Sequence, residues 1–132
     1  MPVFYNKVER SNFVDKDAAK KWYPILKSTG MIKEKEVARR LADETTLNPK
    51  EAEMAVSQLM KVVVAGLLNG ETVQLAELGS FRLTASTVGS DTEEEVNAAK
   101  IKGVNVRFMA SQELKDAMKK AKFIEAASLS KK

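Results

Sequence analysis

The side chains of this sequence that could do chemistry are chiefly its lysines and arginines, because their charge can bind phosphate groups. Residues 100–132 hold 9 basic and 3 acidic side chains, residues 1–30 hold 6 and 3, and residues 31–99 hold 7 and 12. The net charge of +4 therefore hides an acidic middle between two basic ends. A basic end can form a patch for nucleic acid, but a lysine-rich terminal segment is also common as plain solvated surface.

Two residue types on which catalysis often depends are missing from the sequence. There is no cysteine and no histidine, so thiolate chemistry, the commonest general base and the commonest transition-metal ligand are all absent. The acidic run over residues 91–95 could in principle hold a hard cation, but its spacing matches no calcium-loop pattern. We therefore expect no catalytic residue, no metal and no cofactor, and a chain that is not an enzyme.

The composition is that of a soluble globular protein. The chain has 132 residues, of which 44% are apolar and 30% charged. This length and composition fit one domain with an additional segment at one terminus. Its longest apolar stretch, residues 62–68, is far shorter than the ~20 residues of a membrane-spanning helix. The first thirty residues show no continuous apolar block, so we expect no signal peptide. These features indicate a cytoplasmic protein with no membrane partner and no small-molecule substrate.

The first thirty residues form a segment with its own pattern. Residues 3–10 favour a strand, and residues 15–23 predict a short helix that Pro24 stops. Four aromatic residues lie here, and base stacking is one interpretation of them. Anchors that pack an extension onto the core are the interpretation we favour. The aromatic residues are Phe4, Tyr5, Trp22 and Tyr23.

A pair of helices follows this segment. Residues 33–45 show apolar side chains at helical spacing, and a second helix is predicted to start at Asn48, with Pro49 in the first helical position and Glu51 in the third. The second helix carries a wide apolar stripe over residues 52–67. Two short helices cannot cover a stripe of this width. It is either buried inside a larger monomer or forms the core of a symmetric dimer, and we favour the dimer.

Short strands come next. After a helix end at Asn69-Gly70, the alternation over residues 73–75 and 81–83 predicts two strands joined at a tight corner by Gly79. Alternation over residues 104–108 predicts a third strand, and a last helix near Ser111 would show Leu114, Ala117, Met118 and Ala121 as its apolar face.

The order of these segments resembles the HU/IHF family of bacterial histone-like DNA-binding proteins. The resemblance covers roughly residues 33–83 and 104–122. It rests on the helix start Leu-Asn-Pro-Lys-Glu-Ala at 47–52, the hairpin motif Val-x-Leu-x-x-Leu-Gly-Ser-Phe at 73–81, and the strand-to-helix ending at 108–117. The resemblance implies an α+β fold: a helical pair, a small antiparallel sheet and a C-terminal helix, in an intertwined homodimer.

The resemblance also implies a function and a domain division. Residues 31–125 would be an HU-like DNA-binding domain, residues 1–30 an extension packed on the core, and residues 126–132 a flexible tail. The protein would be nucleoid-associated and would bind the phosphate backbone of double-stranded DNA largely without regard to sequence. The expected phosphate contacts are Arg82, Lys100, Lys102, Arg107, Lys115, Lys119, Lys120 and Lys122. The expected dimer-core residues are Val56, Leu59, Val63, Leu67, Phe81 and Phe108.

One family feature is missing from this sequence. Family members carry a proline at the tip of each β-arm, within an Arg-x-x-Pro-x-Thr-Gly-like motif, which wedges between base steps. Residues 81–108 contain no proline, and an acidic run occupies the place of the tip. We expect residues 91–99 to form a short helix that caps the sheet. The alternative function is an HU-like structural or protein-interaction module that has lost arm-mediated DNA binding.

Overall fold

The computed structural model describes residues 2–11, 14, 17 and 19–127, and the chain divides into two compact units. The strand unit comprises Met1–Ile32 and Met118–Lys132, and the helical unit comprises Lys33–Ala117. In chain order the elements are β1 (Pro2–Arg10), β2 (Lys21–Lys27), α1 (Glu34–Glu44), α2 (Pro49–Leu68), β3 (Val73–Leu75), β4 (Gly79–Thr87), β5 (Ile101–Ala110), α3 (Gln112–Met118) and β6 (Lys122–Glu125). The expected α+β class is confirmed.

The strand unit contains a three-stranded sheet in the order β2-β1-β6. The β1–β2 pair is antiparallel and the β1–β6 pair is parallel. The prediction of a short helix over residues 15–23 is wrong. Residues 21–23 begin β2, and the described residues 14, 17, 19 and 20 are not helical. Trp22 and Tyr23 favour a strand, and Pro24 is tolerated because β2 lies at the edge of the sheet.

The C-terminal segment joins the N-terminal one through β6. Neither this strand nor its pairing with β1 was expected, since the sequence predicted a helix that continued to Ala121 and an HU-like domain that continued to residue 125. The helix ends at Met118 instead. Ala126, where the predicted tail begins, is buried, and residues 128–132 of that tail lie outside the described residues.

The two long helices of the helical unit lie where the sequence predicts them. The Asn48 side chain accepts a hydrogen bond from the Glu51 amide at 2.8 Å, and the Glu51 carboxylate accepts one from the Asn48 amide, which completes a capping box at the start of α2. At the other end Gly70 has a φ of 80°. The Glu71 amide donates to the Gly66 carbonyl at 3.0 Å, so the chain turns sharply out of the helix.

The second sheet has the order β3-β4-β5, and both of its pairings are antiparallel. Gly79 begins β4 with a φ of 150°. Ser111 lies just before α3, and its hydroxyl accepts a hydrogen bond from the Leu114 amide at 3.0 Å. The same hydroxyl donates a hydrogen bond to the Glu77 carbonyl. The Ser111 amide donates to the Leu78 carbonyl at 3.2 Å. Ser111 therefore caps α3 and fastens it to the β3–β4 turn.

The helix predicted over 91–99 is wrong. Residues 88–100 form a loop with two single 3-10 turns, at Glu93–Glu95 and Ala98–Lys100. Asn97 separates them with an extended backbone, and its side chain accepts a hydrogen bond from the Ala99 amide at 3.0 Å. This local hydrogen bond competes with helix continuation, and a segment this short cannot sustain a helix without packing.

The buried core of the described residues is small. Its apolar members are Ala38, Ala52, Leu67 and Ala126, and none of the large side chains described is fully buried. The apolar stripe of α2 is partly open, with Leu59 43% and Val62 54% exposed. A single chain thus leaves part of this apolar surface in water.

We predict that Gly79→Ala lowers the free energy of unfolding by about 2 kcal/mol or more. A Cβ at Gly79 would stand 2.3 Å from the Met109 carbonyl oxygen and 2.8 Å from the Phe108 ring, at a φ that side-chain-bearing residues rarely adopt. Gly89→Ala is the matched control, because a Cβ there meets nothing within 4 Å. Urea denaturation of both variants measures the difference, and equal stabilities would contradict the constraint assigned to Gly79.

Candidate nucleic-acid interface

The β4–β5 hairpin has two chemically different faces, because successive side chains of a strand point to opposite sides. The pairs Phe81–Phe108, Leu83–Val106 and Ala85–Val104 stand on one side, and the pairs Arg82–Arg107, Thr84–Asn105 and Ser86–Gly103 stand on the other. The first set is here called the apolar face, and the second the polar face.

The polar face places two arginines directly opposite each other. Arg82 pairs with Arg107 across the ladder, and both are exposed. Like charges in this arrangement destabilise a sheet by roughly 0.2–1 kcal/mol. The strand positions that share this face carry no carboxylate. A bound anion would remove the repulsion between the two arginines, so the polar face is suited to a phosphate group.

Two further expected contacts lie toward the free end of the hairpin. Lys100 is half-buried at the end of the second 3-10 turn, where its carbonyl accepts a hydrogen bond from the Val88 amide at 2.9 Å. Lys102 is exposed and falls at a register shift, because Ser86 pairs with Gly103 while Thr87 pairs with Ile101. Arg82, Lys100, Lys102 and Arg107 therefore belong to one hairpin.

The remaining expected contacts do not continue this hairpin. Lys115 is exposed on α3. Lys119, Lys120 and Lys122 belong to the strand unit, and Lys122 starts β6 rather than lying on a C-terminal helix. The structure thus divides the expected basic set between the two units.

Carboxylates occupy the loop that closes the hairpin. Asp91 and the run Glu93–Glu95 lie within residues 88–100. Over the part of the chain that the structure describes, no three metal-binding side chains come together as an ion site. Carboxylates repel phosphates, so this end of the hairpin is unsuited to DNA.

The arginines of α1 are engaged with neighbouring carboxylates. Arg39 donates to Glu36 at 2.7 and 2.9 Å and to Asp43 at 2.9 Å, and Arg40 donates to Glu36 at 2.9 Å. Hydrogen bonds from Arg39 and then from Arg40 lower the pKa of Glu36 to about 2. Arg39 and Arg40 therefore form ordinary ion pairs on the helix surface. Arg82 and Arg107 differ from them because they face each other across the hairpin.

The expected dimer-core residues lie on α2 and on the apolar face. Within one chain Leu67 is buried, Val56, Val63 and Phe81 are half-buried, and Leu59 and Phe108 are exposed. The rings of Phe81 and Phe108 stack at a tilt, with centroids 5.0 Å apart. Leu59 and Phe108 thus remain exposed to solvent in a single chain.

Sequence reasoning missed Thr84 and Ser86, the polar residues that follow Arg82 on the same face of β4. The alternation of small polar and apolar residues continues from Ser80 to Ser86, and this period-two signal could have predicted the longer strand and the polar neighbours Thr84 and Ser86. Nothing local in the sequence predicts that Arg82 and Arg107 face each other, because this depends on the register between two strands.

Three comparisons with known proteins bear on this arrangement. Residues 1–125 match the family model HU-HIG, described as an HU domain fused to a wHTH, Ig or glycine-rich motif. The chain is 33% identical over 88 residues to DNA-binding protein HU-1 of Halalkalibacterium halodurans, with 64% of this chain and 96% of that protein covered.

Two solved structures share the fold. One is a candidate bacterial DNA-binding protein from Bacteroides vulgatus, with a TM-score of 0.67, 17% identity and 94% of this chain covered; the chain spans only 48% of that protein. The other is HU from Anabaena in a cocrystal with DNA, with a TM-score of 0.53, 14% identity, and 66% of this chain and 97% of that chain covered. None of the helices described here has the length and apolar character to cross a membrane.

We predict that Arg82→Thr raises the stability of the protein in the absence of any ligand, by about 0.2–1 kcal/mol at low salt. Threonine favours a strand, and its introduction removes the repulsion from Arg107. Thermal denaturation at low and high salt measures the effect, and the gain should shrink as salt screens the charges. A loss of stability at low salt would show that Arg82 makes a stabilising contact instead.

Proposed function

Because the chain belongs to the HU-HIG family, HU domains fused to a wHTH, Ig or glycine-rich motif, we propose that it is a nucleoid-associated, histone-like protein that binds double-stranded DNA. The family confirms the resemblance drawn from the sequence. It also confirms that the chain is not an enzyme, since HU-family proteins are architectural DNA-binding proteins. The relative named for DNA binding and the HU structure solved with DNA support the choice of partner.

The opposed arginines carry this proposal. Arg82 and Arg107 are exposed together on the polar face, where a bound anion relieves their repulsion. Thr84, Ser86 and Asn105 extend the same face with short side chains that can donate hydrogen bonds to phosphate oxygens. Contacts of this kind read the backbone and not the bases, so binding is largely independent of sequence.

A second copy of the chain completes the fold in this proposal. The open stripe of α2, centred on Leu59, and the apolar face of the hairpin, with Phe108 exposed, are the surfaces that the two copies bury against each other. Homodimerisation places two polar faces on one assembly, and one duplex can then contact both.

The missing wedge limits what the protein does to DNA. Residues 84–99 carry four carboxylates and neither a proline nor a basic residue, so the tip of the hairpin lacks both the rigid apolar wedge and the flanking positive charge that offset the unstacking of bases. Binding therefore takes place on the polar faces with little bending, and the proposed location is the nucleoid in the cytoplasm.

One observation favours a second candidate function. The helical unit holds 11 basic and 14 acidic residues, a net charge of −3, which is unusual for a DNA-binding surface. An HU-like structural or protein-interaction module that has lost arm-mediated DNA binding needs no net positive charge and is consistent with this value.

We predict that the protein binds duplexes of about 30 bp with similar affinity for unrelated sequences, and that Arg82→Ala with Arg107→Ala weakens binding to all of them. The loss of two phosphate contacts should reduce the slope of log affinity against log salt by about 2. Arg39→Ala with Arg40→Ala is the control, since it removes the same charge from side chains already paired on α1. Fluorescence anisotropy at low and moderate salt measures both.

The outcomes separate the two functions. Equal weakening by both double variants would mean that net charge, and not the polar face, determines the affinity. No binding by the unmodified protein at low salt would favour the protein-interaction module. A strong bend, seen as energy transfer between fluorophores at the two duplex ends, would contradict binding without a wedge.

A further inference from the structure

The excess positive charge of this chain belongs to the strand unit. That unit holds 11 basic and 4 acidic residues, a net charge of +7, whereas the helical unit with the HU-like fold is net −3. Long-range attraction to a polyanion therefore comes from the strand unit. The placement of this charge on the sheet of the strand unit shows where an anion can bind.

The sheet β2-β1-β6 carries most of its basic side chains on one side. Successive side chains of a strand point to opposite sides, so the even-numbered residues of β1 share a side with the residues that pair with them on β2 and β6. The basic residues on this side are Arg10, Lys21, Lys27 and Lys122. All four are exposed, and we call this side the basic face.

The opposite side of the sheet takes the carboxylates. Glu9 and Glu125 lie there, together with Lys7, whose ammonium stands 3.4 Å from the Glu125 carboxylate. Trp22, which pairs with Glu9, also lies on this side; it is 66% exposed and so is not the packing anchor that the sequence favoured. The strand positions of the basic face thus carry four cations and no carboxylate.

The cations of the basic face have no partner that would neutralise them. Arg10 lies directly opposite Lys21 in the ladder, as Arg82 lies opposite Arg107 in the hairpin, and like charges so placed destabilise a sheet. Within the part of the chain that the structure describes, none of the four cations forms an ion pair with a carboxylate. A bound anion would remove the repulsion.

The spacing of the cations favours a polymer over a small anion. Arg10 and Lys21 lie at one end of the basic face, whereas Lys27 and Lys122 lie at the other, beside residues 4 and 2 of β1. Six to eight residues of an extended strand span roughly 20–26 Å, so a single small anion can reach only one end. A DNA duplex carries one charge per ~1.7 Å of its axis and can contact both ends at once.

The apolar side chains of the basic face argue against a lipid surface as the occupant. A protein that lies on a membrane inserts an apolar face between the headgroups. The large apolar side chains here are Phe4, Val8 and Ile25, which are half-buried, and Tyr23 and Ile124, which are 46% and 42% exposed. They offer little surface for insertion, whereas contact with phosphates needs only the exposed cations.

We propose that the basic face is a second binding surface for the phosphate backbone of double-stranded DNA. This inference rests on the proposed function and adds to it a site in the strand unit, separate from the polar face of the hairpin. Contacts from lysine and arginine to phosphates position a protein on a duplex without reading its sequence. A chain that uses both surfaces neutralises more phosphates, so its affinity depends more steeply on salt.

The test removes the two lysines of β2, one from each end of the basic face. In fluorescence anisotropy with a duplex of about 30 bp, Lys21→Thr or Lys27→Thr alone should reduce the slope of log affinity against log salt by about 1, and the double change by about 2. The double change should weaken binding about 10- to 100-fold near 0.1 M salt. Threonine favours a strand, so the sheet should be retained. Lys7→Thr is the matched control for the single changes, because it removes a cation from the opposite side of the same sheet.

The outcomes distinguish this site from the polar face. If the double Lys21 and Lys27 variant, shown to be folded by circular dichroism, keeps the affinity and salt slope of the unmodified protein, the basic face is overturned as a DNA site. Duplex binding that responds only to the Arg82 and Arg107 changes would leave the proposed function intact. An equal loss of affinity in Lys7→Thr would also overturn the site, because net charge would then account for the effect.

Two further outcomes concern the identity of the partner. The double variant could lose binding to phosphatidylcholine vesicles that contain about 30% phosphatidylserine and keep its duplex binding, and this would identify a membrane as the occupant and overturn the proposal. No duplex binding by the unmodified protein at low salt would overturn the proposed function and this inference together.

Discussion

The constraint on which the rest of this structure depends is that one chain cannot bury its own apolar surface. Helix α2 is well specified at both ends, by a capping box at Asn48 and by the turn at Gly70, yet Leu59 and Leu68 on it remain exposed. Among the described residues the buried apolar set consists of three alanines and Leu67. Burial of apolar surface is the main favourable term in folding, so a fold with so little of it needs a partner surface. A second copy is the proposed partner.

The hairpin shows how one local pattern serves stability and binding together. Because side chains alternate along β4 and β5, the same register that brings Phe81 onto Phe108 also brings Arg82 opposite Arg107. Gly79 sets this register, since its backbone passes too close to the Met109 carbonyl for any side chain. The apolar face is thus available to the proposed dimer while the polar face remains open to phosphate, and neither can shift by one residue without the loss of both.

Local signals made part of this structure predictable. The start and end of α2 and the alternation in the hairpin are each encoded by a few consecutive residues, and the predictions from them are confirmed. The corner predicted at Gly79 lies at residues 76–78 instead, because Gly79 already pairs with Leu75 in the sheet. The errors occurred where distant segments decide. Trp22 and Tyr23 form a strand because β1 is beside them, and β6 pairs with β1 from more than a hundred residues away. The error over residues 91–99 has a local cause instead, because the Asn97 side chain accepts a hydrogen bond from the Ala99 amide and divides the loop. The placement of basic residues on opposed strands depends on register and not on composition.

The molecular mass of the unmodified protein in solution, measured by light scattering at micromolar concentration, is the most direct test of the proposed dimer. A homodimer that buries the α2 stripe and the apolar face has twice the mass of one chain, and Leu59→Asp should abolish it, because an unpaired charge cannot be buried there without a large cost. A single-chain mass for the unmodified, folded protein at that concentration would contradict the dimer. The open apolar surface of the helical unit would then need a different partner.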